Sequence, residues 1–133
     1  MNIEKLREKL LNYSKALSRL EESLARDESD DIVIDAVIQR FEFTYELSWK
    51  LLKDYLSFHG IADVRSPREA FKEAFAVNLL REGDVWIDML EDRNRTSHTY
   101  DEDEARAIYN KIKDRYYNIL KNLRVALGEE LKA

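Results

Sequence analysis

The stretch DIVIDAVIQRFEFTYELSWKLLKDYLSFH, residues 31–59, decides how this chain folds. No Gly or Pro interrupts it. Its apolar residues Ile34, Val37, Ile38, Phe41, Tyr45, Trp49, Leu52 and Leu56 recur in steps of three and four. That spacing places them on one face of a helix. Phe43, Leu47 and Leu51 add a second apolar stripe. A helix apolar on two sides is either central in its bundle or buried in a dimer. Gly60 follows, as the left-handed residue that ends a helix, and His59 beside it is expected to interact with the helix end.

Working outward, the preceding segment from about Asn2 to Arg26 carries Ile3, Leu6, Leu10, Tyr13, Leu17, Leu20 and Leu24, a heptad seam. The acidic residues 27–31 break that pattern and are placed to cap the next helix. Downstream, Ser66-Pro67-Arg68-Glu69 reads as a capping box with Pro at the first helical position. A short helix with Ala70, Phe71, Ala74 and Phe75 follows. Gly83 breaks the chain, and Asp84 is expected to cap a helix on Val85, Trp86, Met89 and Leu90. Thr99 to Glu102 repeats the capping-box pattern, with Asp101 and Asp103 as caps and dipole partners. The last helix reaches about Glu130 on Ala105, Ile108, Ile112, Tyr116, Ile119, Leu123 and Leu127. No strand pattern or repeat is present. The expectation is an all-α, antiparallel up-and-down four-helix bundle with one extra short helix, in a single domain over residues 1–133.

Composition agrees. Of 133 residues, 44% are hydrophobic and 37% charged, with only three Gly and one Pro, which favours long helices around one core. The net charge of −5 argues against a broad nucleic-acid surface, so no DNA partner is expected, while a local basic pocket for RNA stays open. Cysteine is absent, which excludes disulfides and thiolate metal sites. Two histidines far apart make no metal site. A charged N-terminus and the lack of a long apolar run predict a soluble, cytoplasmic protein.

One stretch departs from the helical pattern. DRNRTSHTYDE, residues 92–102, has no aliphatic side chain and gathers two arginines, a histidine and a tyrosine. If a helix ends near Ser97, then Arg93, Asn94, His98 and Tyr100 could meet at the corner between two helices. Histidine moves protons near neutral pH, and arginine offers a fork matched to phosphate. Such a group suits metal-independent phosphodiester cleavage and nucleotide phosphate binding equally. From spacing alone, the plainer reading is that Arg and His complement a helix C-terminus while Thr and Asp start the next helix.

These residues also carry a resemblance. Arg93-Asn94-Arg95-Thr96-Ser97-His98, extended through Tyr100, resembles the R-x4-H-x-Y motif of HEPN domains. Residues 38–56, 66–75 and 86–102 look, in order, like the family of nucleotidyltransferase substrate-binding proteins. The resemblance implies a helical bundle similar to the C-terminal domain of kanamycin nucleotidyltransferase, usually a homodimer, working with a separate small nucleotidyltransferase chain encoded nearby. It implies two roles: a subunit that binds nucleotide or substrate for that partner or is modified by it, or an RNA-cleaving toxin of a type VII-like toxin–antitoxin pair, silenced by AMPylation of Tyr100. Carried over, Arg93 and His98 are catalytic, Asn94 supports them, and Tyr100 is the modified residue. Arg95, Ser97 and Glu46 are candidate supporting residues. No cofactor is expected, ATP entering only through the partner. The chain lacks the Gly-Ser turn and strand-borne carboxylates of a nucleotidyltransferase, and Asp101 and Asp103 do not replace them.

Two sets of residues invite further readings. Glu42 is read as part of a solvated stripe, whereas Glu46 could pair with Lys50 or with an arginine of the motif helix. Arg65, Arg68 and Arg81 could form a basic rim around the motif or simply balance Glu69, Glu73 and Glu82. The aromatic residues of the second helix, Phe41, Phe43, Tyr45, Trp49, Tyr55 and Phe58, are expected in a core or dimer interface.

Overall fold

The computed structural model describes residues 2–96 and 101–132. Regular structure among them is entirely helical: α1 (Ile3–Leu24), α2 (Asp31–Phe58), α3 (Pro67–Ala76), α4 (Gly83–Thr96), α5 (Glu102–Lys111) and α6 (Tyr117–Glu130). A π-helical turn, Ile112–Tyr116, joins α5 to α6, so residues 102–130 form one rod. The bundle is all-α with α3 as the extra short helix, as expected, although α4 has only 14 residues and falls well short of the other three rods.

The heptad seam of α1 is its buried face: Leu6, Tyr13, Leu17 and Leu20 are fully buried. Its partner α2 runs antiparallel, since Lys9 pairs with Asp54 while Arg19 further along accepts, through its carbonyl, a bond from Arg40. Tyr13 donates to the Leu120 carbonyl at 2.7 Å and fastens α1 to α6. The helix α2 packs against α1, α3 and α5, which explains apolar residues on more than one of its sides. Its second stripe is only partly used, with Leu51 buried, Leu47 half-buried and Phe43 60% exposed.

Local chemistry sets the ends. Asp30 caps α2, accepting from the Ile32 amide at 2.9 Å. At its other end Gly60 has φ +87°, and the Ile61 amide returns to the Leu56 carbonyl at 2.8 Å, the left-handed closure that Gly permits. The His59 ring lies tilted against Tyr55, 4.5 Å between centroids, beside that end. Ser66 caps α3, but Glu69 reaches back to the Arg65 amide at 2.9 Å, one residue earlier than a strict capping box. One other start differs from expectation. Gly83 is the first residue of α4 and Asp84 lies within its first turn, because the Glu82 carbonyl already accepts from the Val85 and Trp86 amides. Asp101 caps α5 as expected, its carboxylate accepting from the Asp103 and Glu104 amides at 2.9 and 3.2 Å, while Thr99 lies outside the described residues.

An aromatic cluster holds α4 in place. Trp86 lies 4.8 Å from Phe71 of α3 and 6.4 Å from Tyr45 of α2, centroid to centroid. Phe41 stacks on Tyr116 at 5.6 Å, carrying the cluster across to the π turn. Burial of so many rings fixes the height and rotation of α4 on α2.

Candidate functional site

The last turn of α4 presents Arg93, Asn94, Arg95 and Thr96. The residue just before them sets their positions. Asp92 continues the buried stripe Val85, Met89, and its carboxylate is only 2% exposed. A buried carboxylate must be paired, and Asp92 is paired three times. Tyr116 donates its hydroxyl to it, Lys111 lies at 3.2 Å and Arg95 at 3.4 Å. In an α-helix Lys111 and Tyr116, five apart, would point about 140° away from each other. The i→i+5 repeat of the π turn brings such residues onto one face, so both reach the same carboxylate. Burial, and then the bond to Asp92, push the Tyr116 hydroxyl well above the ordinary tyrosine range, which keeps it a donor.

Arg93 and Arg95 are two residues apart and point to opposite sides of α4, about 200° around the helix. Arg93 faces α2. Its guanidinium meets Glu46 at 3.3 Å, and Lys50 meets the other oxygen of Glu46 at 3.4 Å. Glu46 therefore makes both pairings open to it, and Arg93, 35% exposed, keeps an accessible edge. Asn94 lies beside it, 3.5 Å from the guanidinium. Arg95 faces α5, held between Asp92 and Glu104, the latter at 3.6 Å. It ties the two helices together and is thereby committed.

Glu42, one turn before Glu46, is not on a solvated stripe. Burial raises its carboxyl above the usual range, while the Thr96 hydroxyl and Arg93 favour its charge. With Asp35, Arg95, Thr96, Asp101 and Glu104 it lines a cavity of about 290 Å³ between α2, the end of α4 and the start of α5. The Tyr45 hydroxyl is buried without a hydrogen-bond partner among the described residues. Burial raises its pKa, and Arg93 and Arg68 are both near enough to oppose the shift.

Ser97, His98, Thr99 and Tyr100 lie outside the described residues, so the expected meeting of His98 and Tyr100 with Arg93 and Asn94 falls there too. The described residues show Arg93 and Asn94 on an accessible helix end and the flanking Thr96 and Asp101 on one cavity wall. Asp92, Lys111 and Tyr116 were missed as supports. Their signal was a carboxylate on the apolar stripe of α4, which a core cannot leave unpaired. No cluster of three or more His, Asp or Glu suited to a metal ion occurs among the described residues. No described helix is long and apolar enough to cross a membrane.

Comparison with known proteins adds an independent line. Residues 8–129 match the family described as nucleotidyltransferase substrate binding protein like. A Haemophilus influenzae protein named Probable ribonuclease HepT is 35% identical over 94 residues, which cover 63% of this chain and 60% of that protein's length. A crystal structure of a Thermus thermophilus protein superposes with a TM-score of 0.79 at 36% identity, covering 91% of this chain and 99% of the other. A Haemophilus influenzae structure, described as revealing the fold of a substrate binding domain of a nucleotidyltransferase, superposes with a TM-score of 0.69 at 28% identity, covering 99% and 100%.

Proposed function

The chain belongs to the nucleotidyltransferase substrate-binding-protein-like family, and from that premise we propose that it is the helical subunit of a two-component minimal nucleotidyltransferase system. In this role it binds nucleotide or substrate for a separate small nucleotidyltransferase, or is itself modified by it at Tyr100. ATP enters only through that partner. The observation that carries the reading is the end of α4. Arg93 is clamped by Glu46 from α2 yet remains open, and Asn94 stands beside it. A guanidinium fixed on one side and accessible on the other suits a phosphate better than a freely moving one, because less side-chain entropy is lost on binding. Tyr100 stands directly before the Asp101 cap in sequence. Co-expression with the small nucleotidyltransferase encoded beside it tests the reading: a complex that survives gel filtration is expected, and its absence would overturn the partnership.

A second reading is favoured by the 35% identity to a protein named a probable ribonuclease. Here the chain is a metal-independent endoribonuclease, the toxin of a type VII-like pair. His98 takes the proton of an RNA 2′-hydroxyl, which attacks the adjacent phosphorus and expels the 5′-oxygen, while Arg93 balances the developing charge. AMP on Tyr100 would block the site. Unmodified protein should then cleave RNA in EDTA, and His98→Ala should not.

The same reading makes the protein a cytoplasmic homodimer. Phe43, exposed beside half-buried Leu47, supports a partner surface on α2. Light scattering at micromolar concentration should give twice the chain mass, falling to one for Phe43→Asp.

A further inference from the structure

The helix α3 and the first turns of α4 enclose an open groove of about 580 Å³. One face of α3 contributes Arg68, Lys72 and Phe75, spaced i, i+4, i+7. The turn before α4 adds Arg81, and α4 adds Asp84 and Ile87. Arg68, Lys72 and Arg81 are exposed, and among the described residues none of them forms an ion pair. None of them pairs directly with Glu69, Glu73 or Glu82. Arg65 alone of the suggested rim is paired, with Asp63 at 3.9 Å. Three open cations against one lining carboxylate stand out in a chain of net charge −5.

The groove also holds a ring with a free surface. Phe75 is 52% exposed, and Gly83 lies near its ring, where an added Cβ would make ordinary contact at 3.4 Å. Phe75, Gly83 and the three cations line the same groove. Isolated cations would suit any anion, and an isolated ring any apolar surface. Together, at neighbouring helix positions, they match a chain of planar bases joined by phosphates. A duplex keeps its bases stacked internally and cannot offer one to Phe75.

We propose that the α3–α4 groove is a binding track for single-stranded RNA, with Phe75 as the stacking platform and Arg68, Lys72 and Arg81 as phosphate contacts. It rests on the reading in which the chain acts on RNA. The track adjoins the candidate site: Phe71, which lines the groove, packs 5.4 Å from Tyr45, the residue just before the Glu46 that clamps Arg93. Bound RNA would be delivered to Arg93 from this side.

The test uses the full chain and a fluorescein-labelled 2′-O-methyl oligoribonucleotide, which lacks the attacking hydroxyl and cannot be cleaved. Fluorescence anisotropy across a salt series reads affinity. Phe75→Ala should weaken binding at least about fivefold. Lys72→Glu and Arg81→Glu should each lower the slope of log affinity against log salt by about 0.7. Lys121→Glu, an exposed site on α6, should change neither the stacking loss nor the local slope. All four positions are exposed, and circular dichroism confirms folding of each variant. Wild-type binding that is unaffected by Phe75→Ala and Arg81→Glu, or no binding at low salt, overturns the track. Equal competition by polyglutamate also overturns it, pointing to an acidic protein partner. An equally tight DNA probe would widen the ligand to any single strand and remove the RNA assignment. Because the probe cannot react, groove-dependent binding without cleavage of ordinary RNA leaves the track standing and removes the ribonuclease reading; cleavage with groove-independent binding does the reverse.

Discussion

Replacing Tyr116 by Phe removes a single oxygen and should destabilise the protein disproportionately. The hydroxyl donates to Asp92, a carboxylate 2% exposed, from the end of the π turn. The ring itself stays, with its stacking on Phe41 at 5.6 Å. What is lost is a hydrogen bond to a charged group, about 1.5–3 kcal/mol in a buried setting. Lys111 and Arg95 remain beside Asp92, but they are 51% and 47% exposed and cannot fully replace a buried donor. For a chain of this length, unfolding entropy near the midpoint is roughly 0.28 kcal/mol per kelvin, so a loss of about 2 kcal/mol lowers Tm by roughly 7 °C. Thermal denaturation followed by circular dichroism measures it. Asp92→Asn should cost at least as much, since it also weakens the pairs with Lys111 and Arg95, and the double variant should cost less than the sum, because both changes weaken the same Tyr116–Asp92 bond. A Tm for Tyr116→Phe within about 1 °C of wild type, or strict additivity with Asp92→Asn, would refute the account of how α4 is anchored.

Other outcomes follow from the same structure. Glu46→Ala should cost under about 1 kcal/mol in urea denaturation, because the pair with Arg93 is a third exposed, yet it should weaken nucleotide or RNA binding by freeing the guanidinium. Glu42→Gln should leave Tm unchanged or raise it at neutral pH, since burial already disfavours the charged form. Gly60→Ala should lower stability by roughly 1–2 kcal/mol, measured as a shift in urea midpoint, because φ +87° strains any side chain. Stability should fall as pH rises past about 10: burial raises Tyr13, Tyr45 and Tyr116, and pushes Tyr117 up to about 12. The unfolded tyrosines release protons first, so the unfolded state is favoured with rising pH. An alkaline denaturation midpoint identical to that at pH 8 would contradict this.

Much of this fold is written in local patterns. The 3–4 spacing of α1 and α2, the Ser66 cap and Gly60 each follow from short-range rules, and the structure follows them. The exceptions have physical causes. Asp84 falls within the first turn of α4 because the Glu82 carbonyl already accepts from the Val85 and Trp86 amides. Periodicity cannot reveal a π turn, because Lys111 and Tyr116 acquire a shared target only when Asp92 of another helix arrives. Glu42 looked solvated because its neighbours on α2 gave no hint that the end of α4 would cover it. The motif named Arg93 and Asn94 as candidates, whereas the clamp by Glu46 stayed open among several pairings until tertiary packing chose two of them.

The central claim is that this chain serves a nucleotidyltransferase through the residues at and beyond the end of α4. Intact mass spectrometry after incubation with the small nucleotidyltransferase proposed as its partner, ATP and Mg²⁺ tests it most directly. The account predicts a stable complex and the mass of AMP added to wild type, with none added to Tyr100→Phe and less to Arg93→Ala. Neither complex nor added mass on folded wild-type protein would contradict it.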